Sequence, residues 1–200
     1  MEDVFNTLAK PTDVVLLKDR KSKFFGYAFP VTTEEEVRPL LDDLWKRYHT
    51  ACHVCYAWQL GVGATLRYRA NDDGEPNNSA GMPIYGQIKA FGLTNVLVAV
   101  PRIYGGTKLG VGGLIQAYKG AAQLALKQAD IVEKTVSEQF KIGFTYADMT
   151  KVMRLVNQHG LVIVNQEMTD TCVYTLEIRK SKSKQVIALF KETYGVRLLP

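Results

Sequence analysis

Short runs of apolar residues punctuated by polar turns set the framework of the chain. Val14–Lys18 and Lys23–Phe29 read as two strands joined by the charged turn Asp19-Arg-Lys-Ser22. Thr32 and Thr33 followed by three glutamates open a helix, since a threonine cap and early acids complement the helix dipole. Val37, Leu40, Leu41, Leu44 and Trp45 then recur at helical spacing and give that helix one apolar face. Residues 53–59 and 65–69 predict two more strands, and the polar run 71–81 a loop. A helix over 83–91, a strand from Asn95 to Val100 and a long Ala-rich helix over 113–129 complete the first part.

Residues 130–138 break this pattern, and a smaller one follows. A strand over 140–146, a helix over 146–159 closed by Gly160, strands over 161–165 and 171–179, a helix over 183–194 and a strand over 196–199 make a β-α-β-β-α-β series. That order is the ferredoxin-like arrangement. The pattern therefore predicts an α+β chain of two domains, residues 1–136 and 137–200.

Composition narrows the setting. Of 200 residues, 46% are hydrophobic, enough for real cores, and no run approaches the roughly 20 apolar residues of a membrane span. The opening Met1-Glu-Asp-Val-Phe lacks the order of a signal peptide, and three cysteines cannot all pair within one chain. A cytoplasmic protein is expected. Its net charge of +5 is uneven: from residue 141 onward nine Lys or Arg stand against five acids, so that part carries +4. A basic small domain suits nucleic acid or an acidic partner, although solvated lysines on helix faces give the same count.

The most unusual run lies between the strand at Asn95 and the following helix. Gly105, Gly106, Gly110, Gly112 and Gly113 are interleaved with Tyr104 and Lys108, with Arg102 just before. Glycines let backbone approach a ligand, and a helix N-terminus offers free N–H groups, so an anion site is one reading. Turn geometry and close packing is the other. No Walker A sequence and no complete dinucleotide fingerprint is present. The densest acidic group, Asp72, Asp73 and Glu75, could hold Mg²⁺ or be an ordinary turn around Gly74 and Pro76. His49, Cys52, His53 and Cys55 lack the second pair a structural zinc site needs, and strand alternation would turn the two cysteines apart. Tyr56, Trp58, Tyr68, Tyr85, Tyr104 and Tyr118 suit base stacking or core packing, with core packing expected for most. Spacing specifies no catalytic triad or carboxylate pair, and no cofactor is expected.

Several motifs carry a family resemblance. Lys23-Phe-Phe-Gly-Tyr-Ala, Ala51-Cys-His-Val-Cys-Tyr-Ala, Asn71-Asp-Asp-Gly-Glu-Pro with Ala80-Gly-Met-Pro, and Gly92-Leu-Thr-Asn-Val-Leu-Val occur in order. With Arg102-Ile-Tyr-Gly-Gly-Thr-Lys-Leu-Gly-Val-Gly-Gly-Leu-Ile-Gln-Ala-Tyr they resemble the IMPACT (YigZ-like) family over about residues 20–125. Asn77-Asn78-Ser79 departs from the Ser-Gly-Thr of many members, and Tyr104 stands where a Tyr-Phe or Tyr-Tyr pair is common. The resemblance implies a first domain like the second domain of ribosomal protein S-five. It implies a ferredoxin-like second domain as in bacterial members, the pair resembling the last two domains of elongation factor G. Eukaryotic relatives carry a further N-terminal domain and regulate translation initiation under amino-acid starvation. The expected function is a translation-associated regulator that binds RNA, the ribosome or a translation-factor partner. A Mg²⁺-dependent enzyme or binder of a phosphorylated small molecule, and a protein-interaction module, stand as alternatives. The candidate positions are Arg102, Tyr104, Gly105, Gly106, Lys108, Gly110, Gly112 and Gly113, with Asp72, Asp73 and Glu75 as the acidic loop; the family assigns none of them to catalysis.

Overall fold

A computed structural model describes residues 3–200. The chain forms two compact units, one of residues 5–134 and one of residues 135–200 joined by Asp3 and Val4. It passes between them twice, through β1 (Val4–Leu8) and β7 (Ile131–Thr135), which pair as a two-stranded sheet. Neither strand follows from the pattern, because β7 reads Ile-Val-Glu-Lys-Thr with no apolar alternation and β1 is only five residues long.

The first unit is built on an antiparallel sheet of five strands. Its order is β2 (Val15–Asp19), β3 (Ser22–Pro30), β6 (Val96–Ile103), β4 (His53–Leu60) and β5 (Arg67–Asn71). The central strand β6 is buried on both faces, which explains its unbroken apolar run rather than an alternation. Helices α2 (Gly81–Ala90) and α3 (Gly110–Lys127) cover one face, where Phe24, Cys55, Ile84, Val98 and Tyr118 share a core. Helix α1 (Val37–Arg47) covers part of the other with Val37, Leu41 and Leu44, over Tyr27, Val54 and Trp58. The expected strand at 65–69 starts later, because residues 63–65 form a 3-10 turn. Helix α3 starts at Gly110, three residues before the expected point, so three of the five glycines lie within its first turn.

The second unit has the strand order β11-β8-β10-β9, with β8 (Ser137–Phe144), β9 (Val162–Met168), β10 (Cys172–Arg179) and β11 (Val196–Leu199) all antiparallel. Helices α4 (Met149–His159) and α5 (Lys180–Glu192) complete the ferredoxin-like order. Both pack on one face: Val152, Val156, Val186 and Phe190 meet Ile142, Phe144, Tyr174, Leu176 and Ile178. Gly160 takes the left-handed conformation (φ 62°) that ends α4, as its position suggests. Helix α5 begins at Lys180 rather than Ser183, directly after β10. Asp3 sits at this start. Its carboxylate receives two hydrogen bonds from Arg179 (2.8 and 2.7 Å) and one from the Ser181 N–H (3.0 Å). The predicted mixed fold of two domains is thus what the structure shows.

Candidate functional site

The glycine run is anchored from below by its neighbours. Ser22 ends the β2–β3 turn, is fully buried, and its Oγ accepts the Gly105 N–H at 3.1 Å. A side chain at Gly105 would overlap the Lys21 and Ser22 backbone, so glycine here serves close approach between two chain segments. The turn itself places Arg20 (φ 41°) and Lys21 (φ 67°) in the left-handed region, which costs non-glycine residues energy and is held only by surrounding structure. Arg20 Nη1 donates to the Lys108 carbonyl at 3.3 Å. The result gathers Arg20, Lys21 and Lys108, all exposed, around one loop. In the sequence Arg20 and Lys21 stand only as two adjacent basic residues of a charged turn, which is the one local sign of this cluster.

Helix α3 starts two residues after Lys108. Its cap, Leu109, offers no side-chain acceptor, and no acid lies in the first turn. The leading N–H groups of the helix are thus without a side-chain cap, at the positive end of an 18-residue helix. Gly106 and Gly110 have φ of 85° and 74°, and Gly112 faces open space, whereas a Cβ at Gly113 would stand only 2.9 Å from the Leu109 Cβ. Tyr104 is 42% exposed beside the loop.

Arg102 departs from expectation. Its guanidinium is buried, with Nη1 donating to Glu75 Oε1 at 2.5 Å and the same oxygen accepting the Tyr118 hydroxyl at 2.7 Å. The rings of Phe24 and Tyr104 lie 5.4 and 5.6 Å from the guanidinium carbon. Both charges are almost fully removed from water, so Arg102 is an internal counter-ion and not a surface phosphate ligand. Register explains this. Arg102 stands opposite Phe24 and His53 on β6, and its side chain enters the layer between the sheet and α3. Burial holds the Tyr118 hydroxyl well above the ordinary tyrosine range, with the Cys55 thiol and Glu75 adding to it. Burial likewise pushes the Cys55 thiol up, and its Sγ donates to the Asp72 carbonyl at 3.0 Å.

The acidic loop does not gather its carboxylates around a cation. Asp72 caps α2: one oxygen accepts the Ala80 and Gly81 N–H groups at 2.9 and 2.8 Å, the other the Asn78 N–H at 2.8 Å. Asp73 turns the opposite way, to the Val54 N–H at 2.6 Å, and its carbonyl accepts His53 Nδ1 at 2.7 Å. Glu75 goes to Arg102 and Tyr118. Three neighbours in sequence thus serve three partners, which corrects the picture of a shared Mg²⁺ site. Among the described residues no group of three or more His, Cys, Asp or Glu is arranged to hold a metal ion. The acidic and glycine loops do meet, but through a buried ion pair. Cys52 is exposed while Cys55 is buried, so the two thiols diverge as the alternation requires. Trp58, Tyr85 and Tyr118 are core residues; Tyr68 instead is half exposed and stacks on Tyr85 at 4.1 Å.

A separate groove of about 330 Å³ lies beside α1, with Trp45, Tyr56 and Trp58 among its lining. Its arginines are already matched, Arg38 to Asp42 at 2.9 Å and Arg69 to Glu34 at 3.5 Å.

Comparison with known proteins places this arrangement. The Impact N-terminal domain family model matches residues 20–126, a span that holds the acidic loop, the glycine run and Tyr118. The IMPACT family member YvyE of Bacillus subtilis is 34% identical over 69% of this chain and 62% of its own length, so the match spans less than two thirds of that relative. The IMPACT family member YigZ of Escherichia coli is 30% identical over 74% of this chain and 73% of its own. A crystal structure of a hypothetical protein superposes over 100% of this chain and 98% of its own with a TM-score of 0.74 at 25% identity. No described helix is long and apolar enough to cross a membrane. With its signature loops folded against one another through Glu75 and Arg102, the chain belongs to the IMPACT family.

Proposed function

We propose that the protein acts in the regulation of translation by binding RNA phosphates at the cationic loop before α3. The observation that carries this reading is the seating of Gly105 on the Lys21–Ser22 backbone, which brings Arg20 and Lys21 beside Lys108 at an uncapped helix N-terminus. Backbone N–H groups and exposed cations together favour phosphate, and a row of cations favours a polyanion over a single ion. Translation is the setting that the family resemblance implies. Contact with the ribosome or a translation factor, and a place in the cytoplasm or in a stress response, belong to the same proposal.

Mg²⁺-assisted chemistry on a phosphorylated small molecule draws no support from the geometry, since Asp72, Asp73 and Glu75 already accept protein donors. The test is RNA binding by the full chain as a function of salt. Affinity for a short oligoribonucleotide should fall steeply between about 50 and 200 mM salt, in proportion to the phosphates neutralised. Binding that is absent at low salt, or present and insensitive to salt, overturns the reading.

A further inference from the structure

The second unit presents a sheet face that its helices leave open. Strand alternation puts Lys141, Gly143, Val173, Arg197 and Leu199 on the side away from Ile142, Phe144, Tyr174 and Val196. Gly143 lies opposite Val173 on β10 and Arg197 on β11, so three adjacent strands meet at a position with no side chain. A groove of about 690 Å³ opens there, within the roughly 300–1,000 Å³ typical of ligand clefts. A Cβ at Gly143 would stand 3.2 Å from Leu199 Cδ1 and begin to fill it.

The walls differ in chemistry from the floor. Val173 and Leu199 supply apolar surface on either side of Gly143. Thr145, Thr171 and Asp148 line the groove with polar groups. Tyr194 stands at the edge and is 91% exposed, the most exposed large apolar side chain described. Its position is built and not incidental: Lys151 Nζ donates to the Tyr194 carbonyl at 2.9 Å and to Asp148 Oδ1 at 3.0 Å. Asp148 also accepts the Thr145 hydroxyl at 2.9 Å, and a side chain at Gly195 would run into its carboxylate. The Lys151 ammonium and the Thr145 hydroxyl hold the Asp148 carboxyl below its ordinary value, so its charge is matched within the wall. Arg197 and Lys141 are exposed cations on the β11–β8 side of the open face, and Glu167 and Glu177, through their pairing with Val173 and Val162, stand on its β9–β10 side.

We infer that this groove is a second, single-stranded RNA site, in which a base stacks on Tyr194 or lies over Gly143 while Arg197 and Lys141 meet the flanking phosphates. The inference rests on the RNA-binding reading above and adds a surface to it. An exposed aromatic beside exposed cations on an open sheet is the combination that unpaired strands need, because every base has a flat apolar face and the strand has a charged backbone. A duplex hides its base faces and has no use for Tyr194. The two cations lie on the same side of the sheet face as Tyr194, away from Glu167 and Glu177, which suits a single strand laid along the β11–β8 edge.

The test uses the full chain with a short oligouridylate, read by fluorescence anisotropy and by ultraviolet cross-linking. Tyr194→Ala should weaken binding about 5- to 150-fold, the range for loss of one base stack, while Tyr194→Phe keeps most of the affinity. Arg197→Gln should weaken binding and flatten the salt dependence. Cross-links should map to the segment carrying Tyr194. Tyr194 is too exposed for its loss to unfold the unit, and Gly143→Val, which fills the groove, provides an independent check. Unchanged affinity in Tyr194→Ala and Gly143→Val overturns this site, even if changes at Arg20, Lys21 and Lys108 abolish binding and keep the first one. Equal weakening for duplex RNA, or loss of a protein partner with oligouridylate binding intact, also overturns it.

Discussion

Nη1 of Arg102 lies 2.5 Å from Oε1 of Glu75 in the layer between sheet and helix, and Tyr118 donates to that same oxygen. Two family motifs 27 residues apart are thereby one structural unit. Removing either charge leaves the other buried without its counter-charge, which costs about 3–5 kcal/mol. Arg102→Met and Glu75→Leu should therefore each lower unfolding free energy strongly, and the double variant should cost less than their sum. Urea denaturation of the four proteins in a double-mutant cycle measures the coupling.

Asp72 replaces the side-chain cap that α2 lacks, satisfying N–H groups at its start. Asp72→Ala should destabilise the first unit by about 1–2 kcal/mol, as loss of a helix cap does. Added Mg²⁺ should raise the Tm of neither the parent nor the variant, since that carboxylate is spent on backbone donors. Thermal unfolding with and without the ion checks both points.

The glycines of the run should separate by role. Gly105→Ala drives a methyl into the Lys21 and Ser22 backbone and should be strongly destabilising. Gly110→Ala forces a left-handed conformation at φ 74° and should cost about 1 kcal/mol or more. Gly112→Ala meets open space in a helical turn and should be neutral or stabilise by up to about 1 kcal/mol. Comparing the three Tm values tests whether packing or backbone conformation fixes each glycine.

The elements that the sequence made legible are those whose burial is periodic. Val37, Leu41 and Leu44 marked α1, and alternation over β8 and β10 with Gly160 between them marked the ferredoxin-like unit. What remained hidden depends on long-range neighbours. Arg102 and Glu75 read as surface charges because nothing local tells that β6 is covered on both faces. Arg20 and Lys21 read as a solvated turn because left-handed backbone in basic residues has no sequence signal. Asp72, Asp73 and Glu75 looked like one cluster because linear spacing does not show that a turn sends each carboxylate to a different partner.

Acid should loosen the second unit through Asp3. Arg179 and Ser181 hold its carboxyl far below the ordinary value of 3.8. A depressed value means that the ionised form is favoured in the folded state, so its stabilisation is complete above that ordinary value and fades as pH falls below it. Asp3→Asn should remove this part of the pH dependence between about 4 and 2, as followed by urea titration at each pH.

The claim that RNA phosphates meet Arg20, Lys21 and Lys108 is tested most directly by the salt dependence of RNA affinity in a variant with all three changed to Gln. Each lost contact with a single strand should lower the slope of log affinity against log salt by about 0.7, so the triple variant should lose roughly 2 from the slope and bind far more weakly at low salt. Circular dichroism should show the fold retained, since all three side chains are exposed. A slope and affinity equal to those of the parent protein would contradict the account.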